Sequence, residues 1–354
     1  MTDTREHLVV SFSGGKTSAY MSCWLLENYS HLYIFHFVFA NTGREHEETL
    51  IFVDRCDKYF GLNLTWVEAV FDSRRGVGVR HRVVDFESAS RNGEPFEAFI
   101  AKEGIPNVSR AHCTSRLKTR AIRHWMKTCG LIKRGWQAKT AIGMRADEPQ
   151  RANPDSASAK EFNLVYPLAH WHEVGVTKRD VNVFWGKMPF NLNIPEHYGD
   201  CITCFKKSDN KLSLIAHEHM DWFKWNAEME VKYKHINAAK GDEHRWWRKK
   251  RTTDQLITGA LLREHETLIM LTTQEPDDPN GCGNECQPFA KEDNEVSITK
   301  TKDGAMFEYQ NRDFYMVNKC LVEITGDGPV TIGRYSSVEK ASKEIIKHCE
   351  GATS

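Results

Sequence analysis

Six consecutive residues, Ser13-Gly14-Gly15-Lys16-Thr17-Ser18, carry the most pointed chemistry in this chain. Two adjacent glycines let the backbone turn so that successive N–H groups face one concavity. A helix starting behind them adds its positive end. Ser13, Thr17 and Ser18 add hydroxyls, and Lys16 adds an ammonium. That set suits the capture of a phosphate. It is not the longer Gly-x-x-x-x-Gly-Lys-Ser/Thr loop, and an ordinary strand-to-helix turn draws on the same residue types.

Cations and thiols supply the other candidate groups. Arg145 and Arg151 flank Asp147 and Glu148. A guanidinium fork grips phosphate or sulfate in a way an ammonium does not; the plainer alternative is an ion pair with the intervening carboxylates. Arg116 and Lys118 open a basic segment that either holds a second anion or forms a solvated helix face. The chain has ten cysteines. In a reducing compartment such cysteines act as metal ligands, catalytic thiols or buried apolar residues rather than disulfides. Cys201-Ile202-Thr203-Cys204 follows Pro195 and Gly199, and a loop with that spacing lets two thiolates converge on one metal. Cys282 and Cys286 form a second group. Zinc on Cys201, Cys204, Cys282 and Cys286 is one assignment, and redox-active thiols without metal are another. The scattered Cys23, Cys56, Cys129, Cys320 and Cys349 read as core or surface residues. Arg245-Trp246-Trp247-Arg248-Lys249-Lys250-Arg251 interleaves rings and cations, as a base-stacking nucleic-acid surface does. An amphipathic helix that buries Trp246 or Trp247 has the same composition.

These groups need elements to position them. Residues 7–12 read as a buried strand, and residues 19–26, behind the glycine turn, as a helix. A second strand runs from Leu32 to Ala40, a helix from about Glu47 to Phe60, and a third strand from Leu62 to Val70. Such alternation implies right-handed crossovers and a mostly parallel sheet. Residues 72–109 read as a long loop with one short helix, Arg116 to Thr128 as a basic helix, Lys139 to Met144 as a strand, and Asp147 to Lys160 as a surface loop. A helix covers 177–188, and the chain reads as helical from about Leu212 to Ile269. Strand-like segments fill Val296 to Arg334, before a helix from Ser337 to His348.

The turn resembles the Ser-Gly-Gly-x-Asp/Thr-Ser loop of the phosphoadenosine phosphosulfate reductase and N-type ATP pyrophosphatase superfamily, the adenine nucleotide alpha-hydrolase-like group. Three more segments resemble its motifs in the expected order: Asn41-Thr42-Gly43 followed by Glu48-Thr49, Cys113 to Lys118, and Gly143 to Arg151. Asn41 stands where the reductases carry Asp, and Lys16-Thr17 departs from the pyrophosphatase pattern. The resemblance spans roughly residues 7–206. It implies a doubly wound α/β core and a site for ATP or phosphoadenosine phosphosulfate, with Mg²⁺. The nucleotide would meet residues 13–18, Asn41, Thr42, Gly43, Arg116, Lys118, Gly143, Arg145 and Arg151. Lys16, Cys113 and Cys286 become the catalytic candidates; Glu285-Cys286 matches two residues of the reductases' Glu-Cys-Gly nucleophile motif. Cys113 with Cys201 and Cys204 resembles the iron–sulfur ligand set of adenylylsulfate reductases and sulfur-inserting tRNA enzymes, with His112 where the reductases have a second Cys, and with Cys282 or Cys286 as candidate fourth ligands. The implied chemistry is adenylation of an acceptor coupled to sulfur transfer. Sulfonucleotide reduction and non-catalytic nucleotide sensing are the alternatives. Implied partners are a sulfur donor protein or thioredoxin-like reductant and, as in DNA-phosphorothioation enzymes, a nucleic acid.

Bulk properties fit that frame without narrowing it. The 354 residues are 40% hydrophobic, enough for a sizeable core. Lys+Arg and Asp+Glu both number 48, so net charge names no partner. The longest apolar stretch is interrupted by His36 and is far shorter than the roughly 20 residues of a membrane span. With no secretory signal, the expectation is a soluble cytoplasmic protein. The expected organisation is a nucleotide-binding domain over 1–210, a helical extension with a cysteine loop over 211–294, and a small α+β appendage over 295–354.

Overall fold

The computed structural model describes residues 4–74, 76–199 and 201–274, together with the backbone of five strands between 297 and 334. Its centre is a six-stranded sheet. The strands are β1 (Glu6–Phe12), β2 (Tyr33–Asn41), β3 (Thr65–Val70), β4 (Arg80–Val84), β7 (Lys139–Ile142) and β8 (Leu164–Val165), and β5 (Ile132–Lys133) and β6 (Trp136–Gln137) pair separately. The order is β4-β3-β2-β1-β7-β8, and every pairing is parallel except β3 with β4. Strand order reverses beside β1, so the carboxyl ends of β1, β2 and β7 border the crevice where open α/β sheets bind ligands.

Period-two alternation sends neighbouring residues of β1 to opposite faces. Leu8, Val10 and Phe12 pack with Met21 and Leu25 of α1 (Lys16–Tyr29) and Leu50 and Val53 of α2 (Glu47–Phe60). Val9 joins the other layer, with Phe99 of α3 (Glu94–Glu103) and Ile122 of α4 (Arg120–Thr128). This is the doubly wound arrangement the sequence implied. Beyond it come α5 (Ala157–Phe162), α6 (Pro167–His170), α7 (Lys178–Lys187), α8 (Asp209–Glu218), α9 (Lys224–Tyr233), α10 (Thr253–Leu261) and α11 (His265–Gln274). Leu212, Met229 and Leu256 from α8 to α10 share the cluster that holds Val9. No described helix is long and apolar enough to cross a membrane.

Several local expectations change. The long loop over 72–109 contains edge strand β4, whose Arg-His-Arg start hides a strand signal, as well as α3. The basic helix is a π-helical turn, Thr114–Thr119, followed by α4. The loop over 147–160 runs into α5, which Ser156 caps. The segment expected to be helical from 212 to 269 is broken; around the paired tryptophans, Lys249 and Lys250 both have positive φ, which ends any helix there. The strand-like segments become β9 (Ser297–Thr301), β10 (Gly304–Tyr309), β11 (Arg312–Val317), β12 (Cys320–Thr325) and β13 (Gly328–Arg334), an antiparallel sheet in chain order. The expected helix over Ser337 to His348 lies outside the described residues.

Candidate functional site

The Ser13–Ser18 turn joins β1 to α1. Its shape is held from within. Ser13 N–H donates to Ser18 Oγ at 3.0 Å, the two hydroxyls lie 2.9 Å apart, and Ser18 Oγ donates to Gly15 O at 3.0 Å. Gly14 has φ +97°, and a Cβ there would fall 2.9 Å from Thr49 Cγ2, so both backbone and space require glycine. A Cβ on Gly143, beyond β7, would fall 3.0 Å from Ser18 Cα. Trp185 Nε1 of α7 donates to Lys16 O at 2.9 Å. The Ser13 and Ser18 hydroxyls bond each other and brace the turn. The helix's first N–H groups and Lys16 remain the natural anion contacts. Lys16 is half-buried; burial lowers its pKa, and the Glu196 carboxylate acts against that.

The Asn-Thr-Gly end of β2 adjoins this turn. Thr42 donates through N (3.0 Å) and Oγ1 (2.9 Å) to Glu45, and Lys118 Nζ lies 3.6 Å from Glu45 Oε1 with both side chains buried. Lys118 is therefore on the crevice floor, not on a solvated face. Glu45 escaped the sequence reading because it stands in no motif; its signal is its distance of three residues from Thr42. Asn41 is fully buried, and its amide bonds inward.

The Cys-x-x-Cys loop is drawn to the same place. Cys201 pairs with Glu45 in an isolated β-bridge, Ile202 N–H donates to Arg44 O at 3.1 Å, and Cys201 Sγ lies 4.0 Å from Thr42 Oγ1. Arg44 stacks 4.5 Å from the Trp225 ring centroid. Burial pulls its pKa down to about 10, opposed by the charges of Cys201 and Glu45. Lys207 Nζ donates to Cys201 O at 2.7 Å. Cys113 immediately precedes the π-helical turn that carries Lys118. Among the described residues, no three His, Cys, Asp or Glu side chains gather into a metal-holding group. Cys282 and Cys286 lie outside the described residues, so neither the iron–sulfur nor the zinc ligand set comes together in the described part of the chain.

The arginines part company. Arg145 Nη1 reaches Thr17 Oγ1 at 3.5 Å, while Asp147 (2.8 Å) and Glu148 (3.3 Å) hold the guanidinium. Arg145 thus faces the turn. Arg151 is paired with Glu148, and Arg116 lies 2.6 Å from Glu103. Beside Lys16, Glu196 also lines a cavity of about 550 Å³ with Lys178, His197, Lys211 and Glu218. Trp246 and Trp247 are both buried; their indole N–H groups donate to Asn226 O and Thr253 Oγ1, each at 3.1 Å. Neither ring offers a stacking face.

Two comparisons with known proteins bear on this crevice. Residues 7–178 match the phosphoadenosine phosphosulfate reductase domain. The chain belongs to this family. The matched span contains the Ser13–Ser18 turn, the β2 end, Lys118 and Arg145, so the family's core coincides with the assembled crevice. A curated relative, the uncharacterized nin region protein ORF290 of Escherichia phage lambda, is 36% identical over 212 residues, covering 59% of this chain and 69% of that protein. No solved structure matches. Members of the phosphoadenosine phosphosulfate reductase family are typically enzymes, and the Cys-x-x-Cys loop of this one lies beyond the matched span, at 201–204.

Proposed function

We propose that this family member grips the phosphates of ATP at the Ser13–Ser18 turn and cleaves the nucleotide between its α and β phosphates, adenylating an acceptor on the way to sulfur transfer. One observation carries the reading: Lys16, Arg145 beside Thr17, and the Thr42–Glu45–Lys118 group border the carboxyl ends of adjacent parallel strands. Phosphates belong at such a place. An acceptor oxygen would attack the α phosphorus, the bond to the bridging oxygen would break, and pyrophosphate would leave with the electron pair. Lys16 and Arg145 would offset the growing charge, and Mg²⁺ arrives with the nucleotide. A sulfur carried as a persulfide on Cys113, Cys201 or a donor protein would then attack the adenylated carbon, AMP would leave with the electron pair of the C–O bond, and a second thiol, forming a disulfide with the carrier cysteine, would release the new thiol. Any resident metal would draw on Cys282 or Cys286 beside the described thiols, and no step here depends on it.

Pyrophosphate release from MgATP, abolished in Lys16→Ala, is the expected result. Sulfite released from phosphoadenosine phosphosulfate with a thioredoxin-like reductant, and no pyrophosphate from ATP, would replace this reading with sulfonucleotide reduction. Tight nucleotide binding without turnover of either compound would point to a sensor.

A further inference from the structure

Asn41 opens the Asn-Thr-Gly segment and is the last residue of β2. Each of its polar positions is engaged. Nδ2 donates to Glu68 Oε1 at 2.6 Å and to Ser90 O at 2.9 Å, and Oδ1 accepts from Gly43 N–H at 3.1 Å. Glu68, opposite it on β3, has a fully buried side chain. It also accepts from Ser90 N–H (2.7 Å), Ser90 Oγ (3.0 Å) and Arg82 Nε and Nη2 (2.9 and 2.6 Å). A carboxylate only accepts hydrogen bonds. Glu68 therefore forces the amide nitrogen of residue 41 toward itself and the amide oxygen toward Gly43. Gly43, with φ +79°, starts the turn in which Thr42 and Arg44 N–H bond Glu45.

We infer that Glu68 is the positioning residue that makes asparagine obligatory at position 41, and that the Glu68–Asn41–Gly43 chain sets the shape of the Thr42–Glu45 loop beside the nucleotide. Asn41 then acts through Gly43 rather than by touching the ligand. An aspartate at 41 would place two carboxylates in hydrogen-bond contact in a buried site, where they hold one proton between them. With that proton, residue 41 still donates to Glu68. Without it, the pair repels and the loop shifts. The inference deepens the proposed function by assigning the residues that shape its site, and its first readout needs no nucleotide.

The test compares wild type, Asn41→Asp and Asn41→Ala between about pH 5.5 and pH 8. Other charged groups surround the pair and are common to all three proteins: Arg82 on Glu68, the Glu45–Lys118 pair on the next turn, Arg91 with Glu47 beside Ser90, and the His81–His124 contact next to Arg82. Ratios to wild type at each pH remove their contribution. Aspartate's pKa at 41 is raised in the fold, so what its proton stabilises is present at low pH and lost as pH rises. Amide hydrogen exchange over residues 41–46 in Asn41→Asp is expected near the wild-type rate at the low end and at least about tenfold faster at the high end. In Asn41→Ala it is expected to be faster by a ratio that does not change with pH. MgATP affinity, read separately, should follow the same two patterns. Wild-type exchange in Asn41→Asp at every pH overturns the inference. So does a pH-dependent loop with MgATP affinity equal to wild type, since the network would then be structural only. If wild type binds no MgATP, the proposed function fails while the exchange ratios still decide the Glu68–Asn41 coupling. Should Asn41→Asp not fold at any pH, Asn41→Asp with Glu68→Gln, which removes one of the two carboxylates, is expected to fold; its failure counts against the inference.

Discussion

His112 links the stability of the fold to pH through its burial. Its ring lies 5.2 Å from Phe99 and its Nε2 3.8 Å from Glu103. Its pKa is pushed down to about 4, first by burial and then by the Arg110 guanidinium, with Glu103 opposing. The folded pKa lies below the unfolded one, so the neutral ring stabilises the fold. That contribution is full above about pH 6.5 and is lost as pH falls toward about 4. Urea unfolding at about pH 7 and pH 4.5 should show wild type losing up to roughly 2–3 kcal/mol more than His112→Gln; equal losses would remove the effect. The glycine turn was legible at this scale because Gly14 and Gly15 permit few other conformations. What Ser13 and Ser18 do was not. The letter Ser does not say which group a hydroxyl will meet, and the 2.9 Å contact between these two shows that they brace the loop. Glu45, Glu68 and Arg44 were missed for a related reason: each matters through a partner distant in sequence or outside any motif.

Elements with strong period-two or helical patterning, such as β1 to β3, α1, α2 and α7, were readable from the chain. β4 was not, because it is an exposed edge strand in which Arg80, Arg82 and Val83 face solvent. The Trp246-Trp247 segment misled in another way. Its alternation of rings and cations fits a helix, but Lys249 and Lys250 in the left-handed region turn the chain instead. That turn has a use. Arg248 reaches back to donate to the carbonyls of Phe205, Lys206 and Lys207, at 3.4, 3.0 and 2.6 Å. It thereby anchors the segment that follows Cys204. Arg248→Ala should lower stability by roughly 1–3 kcal/mol through the carbonyls left short of a donor. Amide exchange across 201–208 should rise more than exchange in β1. An unchanged exchange pattern would mean the Cys-x-x-Cys loop is held by its contacts to Arg44 and Glu45 alone.

Across the described residues, two hydrophobic layers grip one sheet, and its carboxyl edge carries the Ser13–Ser18 turn and the Asn-Thr-Gly end of β2. One layer joins α1, α2 and α7 to β1 and β2; the other joins α3, α4 and α8 to α10 to the opposite face. The second layer carries Trp225 and the cysteine loop to Arg44, which is how residues 159 positions apart meet at Thr42 and Cys201. Sequence spacing gives no access to such closures, whereas the parallel core follows from alternating strands and helices. The most direct measurement of the central claim is amide hydrogen exchange of the whole protein with and without MgATP, in wild type and Lys16→Ala. Slower exchange at residues 13–18 in wild type is expected, with affinity reduced roughly 10–100-fold by removing the ammonium. MgATP that binds while the 13–18 amides exchange as before, or no binding at all, would contradict it.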